Sequence, residues 1–289
     1  VKVLLIHTGG TIGMVPGPQG LEPCAGLVER AVADQLPAGA NLRVETFSPL
    51  VDSSEVGPAH WNRMIQTILA GEEDGVVLTH GTDTMAFTGA ALSQALAGLN
   101  RRVILCGSMA PLNQGGDAEA NLSLALRAAY GAVADATAGV WLAFDGTLLD
   151  AAGLVKHDSS QASAFRSVPQ PLPTAKARQF GSAKVAILTL SPGMPAAMLR
   201  AALDHLDGAV LRVFGSGTMM SDPALLETLH QSVARGCRIR AVSQCESGGL
   251  TPGSYAAGAG LWATGVENGG PQTPEAALAT LWLELSSSH

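Results

Sequence analysis

Two short stretches combine hydroxyl side chains with glycine: "HTGGTI" at 7–12 and "HGTDTM" at 80–85. In the second, Thr82 and Asp83 are adjacent. A carboxylate in such a place can hold a substrate ammonium, and a neighbouring hydroxyl can take or relay a proton. A threonine hydroxyl is a weak nucleophile until a base removes its proton. That base must stand within hydrogen-bond reach. Lys156, in "AAGLVKHDSS", is a candidate, because a partly desolvated lysine gives up its proton more easily. Taken alone, Lys156 reads as a solvated surface lysine and Gly9-Gly10 as a tight turn. Two more clusters change that weighing: "SPLVDSSE", with Asp52, Ser53 and Ser54, and Gly107-Ser108-Met109.

A phosphate cradle is the first rival. The dinucleotide fingerprint needs G-x-G-x-x-G after a strand, and the P-loop needs Gly-Lys-Ser/Thr. "GGTIG" fits neither.

The elements that must position these residues are legible in the hydrophobic pattern. Residues 2–6, 75–79, 102–106 and 139–144 are runs of Val, Ile and Leu without alternation, as in strands covered on both faces. A weaker strand is expected at 43–47. Each of the four clusters follows one of these strands. Between strands, Trp61, Met64, Ile65, Ile68 and Leu69 recur at helical spacing. So do Ala91, Leu92, Ala95 and Leu96, and then Leu122, Leu126, Ala129 and Val133. Alternating strands and helices predict a mainly parallel sheet flanked by helices, whose ligands bind beyond the carboxyl ends of the strands. Residues 166–183 are proline-rich and aperiodic and read as a linker. The expected organisation is a large N-terminal domain at 1–166, a linker at 167–183 and a smaller C-terminal α/β domain at 184–289. The smaller domain should hold about three strands, at 184–190, 208–213 and 238–243. Its helices fall near Pro195–Leu206, after the Asp222 cap, and from Thr273 to about Leu285.

Composition sets outer bounds. Hydrophobic residues make up 47% of the 289 and charged residues 14%, which is globular and not disordered. A net charge of −7 without a basic stripe argues against nucleic acid. No apolar run approaches the roughly 20 residues of a membrane helix. Cys24, Cys106, Cys237 and Cys245 show no metal-ligand spacing and are expected as free thiols in a reducing cytosol. His7 and His80 are read as orienting their loops, and the other histidines show no ligand pattern.

"HTGGTI", "DSSE", "HGTDTM" and "GSMAPL", in this order, resemble the bacterial-type asparaginase family and most closely its cytoplasmic type I branch. The stretch "LLDAAGLVKHDSSQASAFRS" resembles the family's lysine segment, and the tail from "QCESGG" resembles its small domain. The resemblance covers nearly the whole chain. It implies hydrolysis of the asparagine side-chain amide to aspartate and ammonia, with Thr11 as nucleophile forming an acyl-enzyme. It implies a triad of Thr82, Asp83 and Lys156. Asp83 would bind the substrate ammonium and Ser53 its carboxylate, with Asp52, Ser54, Gly81, Thr82 and Ser108 as further contacts. Backbone N–H groups near Thr11 and Thr82 would form the oxyanion hole. No metal or organic cofactor is implied. The resemblance further implies a cytoplasmic homodimer or dimer of dimers, with active sites at the intimate interface.

Residues 13–26 match the family's mobile lid, whose tyrosine is replaced here by Leu21; the chain's tyrosines are Tyr130 and Tyr255. The partner-subunit carboxylate has Glu246 as its nearest counterpart, and Thr218 stands where an asparagine is common. Four readings follow: an asparaginase, a glutaminase-asparaginase of broad specificity, the amidase subunit of a tRNA transamidase, and an aspartate or asparagine sensor that turns over weakly.

Overall fold

The computed structural model describes residues 1–172 and 178–287. It divides into two units, Val1–Arg178 and Gln179–His289. In the first, the apolar runs become β1 (Lys2–His7), β4 (Asn41–Thr46), β5 (Gly75–Thr79), β6 (Arg102–Cys106) and β7 (Gly139–Phe144). They form one sheet in the order β4-β1-β5-β6-β7, all parallel. A sixth strand, β8 (Thr147–Asp150), adds antiparallel to β7. Two hairpins were not expected from the sequence. One pairs β2 (Met14–Gly17) with β3 (Gly20–Pro23), and the other pairs β9 (Leu154–Lys156) with β10 (Phe165–Ser167).

The large sheet is covered on both faces. Val3, Leu5, Val77, Ile104, Cys106 and Ala143 face a core built with α1 (Leu27–Gln35) and α4 (Ala118–Ala129). The alternate residues Leu4, Ile6, Val76, Leu78, Val103, Leu105 and Leu142 are fully buried on the other face. There α3 (Met85–Ala95) packs against β7, and α2 (Pro58–Ala70) packs on α3.

Register matters most for the site. His7 is level with Thr46 and with Thr79, Thr79 with Cys106, and Cys106 with Ala143. Four strands therefore end on one rung, with β7 running one residue past it, and the loops that follow them emerge side by side. Arg178 donates to the carbonyls of Ala95 at 2.7 Å and Ala97 at 3.3 Å. Of the expected linker, residues 173–177 lie outside the described residues, and Arg166 and Ser167 belong to β10.

The second unit carries a parallel sheet of four strands, one more than expected: β11 (Val185–Thr189), β12 (Gly208–Val213), β13 (Arg238–Ser243) and β14 (Glu267–Asn268). Two residues leave no periodicity to read. On one face α5 (Ala196–Leu203), α6 (Pro223–Ala234) and the short α7 (Ala259–Ala263) pack through Leu199, Leu203, Leu225, Leu229 and Leu261. On the other lies α8 (Pro274–Ser286). Thr273 and Asp222 cap α8 and α6 by accepting from the N–H groups of Ala276 and Ala224. Arg238 and Arg240 both bond Glu267 and Glu284, which ties β13 to β14 and α8.

Candidate active site

The common rung decides where the motifs meet. Loops 8–11, 47–54, 80–84 and 107–109 leave β1, β4, β5 and β6 together. Their backbones are cross-bonded: Thr8 Oγ1 donates to the Thr79 carbonyl at 2.8 Å, and Val51 N–H to that of Thr8 at 2.7 Å. His80 N–H reaches the Cys106 carbonyl at 2.9 Å.

This closeness explains the two glycines of the first motif. Gly9 and Gly10 have φ of 134° and 94°. A Cβ on Gly9 would lie 2.4 Å from the Val51 carbonyl oxygen, and one on Gly10 2.6 Å from the Gly81 nitrogen. Both positions therefore need glycine for conformation and for space. The tight turn expected from the sequence is also a close approach: the chain turns there while pressed against two neighbouring loops.

A cavity of about 160 Å³ lies where the loops meet. Thr11, Asp52, Ser53, Gly81, Thr82, Asp83, Ser108 and Lys156 line it, together with Gly10, Met14, Met109 and Ser159. Thr11 opens a 3₁₀ turn over Thr11–Gly13. Lys156 arrives from β9 and donates to Thr82 Oγ1 at 2.9 Å and to Asp83 Oδ1 at 2.7 Å. Its side chain is 17% exposed, whereas that of Asp83 is 71% exposed. Asp83 can thus engage a cation from its water side while it orients the lysine. Ser108 is buried and its Oγ has no hydrogen-bond partner among the described residues, so that hydroxyl is available to a ligand.

Ser54 is the exception among the expected contacts. It is exposed and does not line the cavity. Its N–H and hydroxyl both donate to Asp52 Oδ1, at 2.8 and 2.7 Å. Those bonds lower the Asp52 pKa below the ordinary carboxylate value, the side-chain bond most. Ser54 therefore holds Asp52 in place and in its charged form.

The expected lid is a hairpin. Leu21 on β3 is 48% exposed and does not line the cavity, whereas Met14 at the start of β2 does. Met14, not Leu21, is the hairpin residue beside Thr11's cavity. Sequence reading also missed Asp117 and Asn121. Asp117 accepts from the N–H groups of Met109 and Ala110. Asn121 donates to the Gly107 carbonyl at 3.0 Å. The first turn of α4 thus anchors the Ser108 loop, and the clue was a carboxylate at a helix start, usually read as a cap. Ser159 follows Lys156 in the lysine segment, but spacing gave it no role.

The lysine is referenced to α3. The Ala151 carbonyl, in the turn before β9, would lie 2.8 Å from a Cβ on Gly89 of α3. Thr82 and Asp83 immediately precede the same helix.

All four cysteines are free. Among the described residues, no group of three or more His, Cys, Asp or Glu side chains could hold a metal ion. No helix among them is long and apolar enough to cross a membrane. The arrangement offers hydroxyl nucleophiles, a lysine hydrogen-bonded to one of them, a carboxylate facing water and a buried serine. That set suits acyl transfer on a small polar substrate.

Comparison with known proteins agrees in extent. The family model "Asparaginase, N-terminal" matches residues 2–183, and "Glutaminase/Asparaginase C-terminal domain" matches 184–289. The chain is 31% identical to L-asparaginase 1 of Escherichia coli, over 99% of this chain and 92% of that one. It is 35% identical to the human 60 kDa lysophospholipase over 97% of its own length but 57% of that protein. Among solved structures, L-asparaginase I of Vibrio cholerae superposes with a TM-score of 0.85 at 31% identity, covering 100% of this chain and 93% of that one. The thermostable L-asparaginase of Thermococcus kodakarensis gives 0.81 at 28% identity, covering 99% and 93%.

Proposed function

The chain belongs to the asparaginase family, and from that membership we propose that it hydrolyses the side-chain amide of L-asparagine to L-aspartate and ammonia through a threonine acyl-enzyme. The observation that carries this reading is the double hydrogen bond of Lys156 to Thr82 and Asp83 in the cavity that Thr11 also lines. Thr11 Oγ attacks the amide carbon, its proton passes to the departing nitrogen, and ammonia leaves. Water then attacks the ester with Thr82 and Lys156 taking its proton, and aspartate and the free hydroxyl return. Asp83 holds the α-ammonium and Ser53 the α-carboxylate, with Asp52, Gly81 and Ser108 completing the substrate contacts. Backbone N–H groups at Thr11 and Thr82 stabilise the oxyanion. The working protein is a cytoplasmic homodimer or dimer of dimers whose active sites sit at the subunit interface.

The test is ammonia release from asparagine by the parent and by Thr11→Ala. Loss of the nucleophile should lower kcat by several orders of magnitude. Parental turnover in the variant would refute the reading. Glutamine, assayed alongside, differs by one methylene, a change that discriminates by only about 1–3 kcal/mol in a pocket.

A further inference from the structure

His80 takes no part in the chemistry above, yet it is fully buried directly before the Gly81–Thr82 loop. Both of its ring nitrogens are engaged. Nδ1 lies 2.6 Å from the Gly81 carbonyl oxygen, and Nε2 lies 2.9 Å from Thr88 Oγ1. Thr88 Oγ1 in turn receives the indole Nε1–H of Trp61 at 3.0 Å.

The partners fix the protons. A carbonyl only accepts, so Nδ1 carries hydrogen. An indole N–H only donates, so the Thr88 oxygen accepts from Trp61 and keeps its own O–H for the Nε2 of a ring whose one hydrogen is on Nδ1. Burial drives the His80 pKa down to about 4, so the ring is neutral at pH 7, with one donor and one acceptor nitrogen.

A trans peptide is planar, with its N–H opposed to its C=O. The Gly81 carbonyl is turned toward the buried ring, so the Thr82 N–H of the same peptide faces the other way. Gly81 and Thr82 both line the cavity, and that N–H donates to nothing among the described residues. Reversing this peptide would present a carbonyl oxygen where an oxyanion forms, and repulsion would replace stabilisation.

We infer that His80, locked as its Nδ1–H tautomer by Trp61 and Thr88, is a positioning residue that sets the Gly81–Thr82 peptide so that the Thr82 N–H meets the oxyanion. The inference rests on the amide-hydrolysis reading above. His80→Asn keeps an N–H donor near the place of Nδ1, whereas His80→Leu removes it. The leucine variant should lose about ten- to hundredfold in kcat with KM changed less than about threefold. The asparagine variant should recover most of that loss. In the unmodified chain, ¹⁵N-resolved imidazole spectra at pH 7 should show His80 protonated at Nδ1. This measurement does not depend on the leucine variant folding. An Nε2–H ring, a folded leucine variant with parental kcat, or equal impairment of both variants would overturn the inference. If the parent itself releases no ammonia, the hydrolysis reading falls first, and the tautomer still decides whether the lock exists.

Discussion

Lys156 Nζ stands 2.9 Å from Thr82 Oγ1, a hydrogen bond that spans 74 residues of sequence. The same nitrogen donates to Asp83 Oδ1, so one amine bridges two consecutive side chains. Replacing Lys156 with Met keeps the aliphatic stem and removes the proton carrier. Turnover of asparagine should fall about 10²–10⁴-fold. Lys156→Arg should not restore it, because a guanidinium does not give up its proton in this range. Steady-state kinetics on both variants, with circular dichroism to confirm folding, checks this.

Gly10→Ala places a Cβ within 2.6 Å of the Gly81 nitrogen at a φ of 94°. The loop must move, and Thr11 moves with it. A stability loss of about 2 kcal/mol or more is expected, together with near-complete loss of activity. Urea unfolding and ammonia release measure the two effects. Parental values for both would mean that the 8–11 and 80–84 loops do not press together as described.

The His80 pKa falls from 6.5 in the unfolded chain to about 4 in the folded one. Between those values the unfolded state binds the extra proton, so stability falls as pH drops. The contribution is complete above about pH 6.5 and is lost by about pH 4, at up to about 1.4 kcal/mol per pH unit. Chemical unfolding of His80→Asn across this window should show a shallower pH slope than the parent. Identical slopes would place the histidine's proton balance elsewhere.

In the second unit, burial raises the Glu267 pKa, but bonds from Arg238 and Arg240 outweigh it and leave the pKa lowered. The stability this confers is present above the ordinary carboxylate pKa and is lost as pH falls through the lowered one. Glu267→Ala leaves Arg240, whose side chain is 9% exposed, with Glu284 as its remaining carboxylate. Breaking a fully buried pair costs about 3–5 kcal/mol. Partial exposure and the surviving partner reduce that here to about 1–2 kcal/mol. A urea midpoint unchanged from the parent would show that β14 is held by other contacts.

The central parallel strands β1, β5 and β6 were legible because doubly covered strands are written in uninterrupted Val, Ile and Leu. The site was legible for a related reason. Small hydroxyl and acidic residues stand directly after those runs, and the register then brings them together. What escaped was short or disguised. β14 has two residues, and the Met14–Pro23 hairpin is interrupted by Pro16, Gly17 and Gly20, which read as loop. The family resemblance implies Ser54 as a ligand contact, and its spacing does not show that its bonds run to Asp52. Asp117 escaped because nothing in one dimension shows that it bonds the loop behind it.

The close seat of Ala151 against Gly89 makes α3 a ruler. Thr82 and Asp83 lie at one end of it, and the strand that delivers Lys156 starts from its side. The separation between proton carrier and hydroxyl is therefore graduated by a rigid rod and not by the loops around it. A methyl group at Gly89 would shift the mark. Such a change would be felt as a mis-set gap at the end of the rod that carries Thr82 and Asp83.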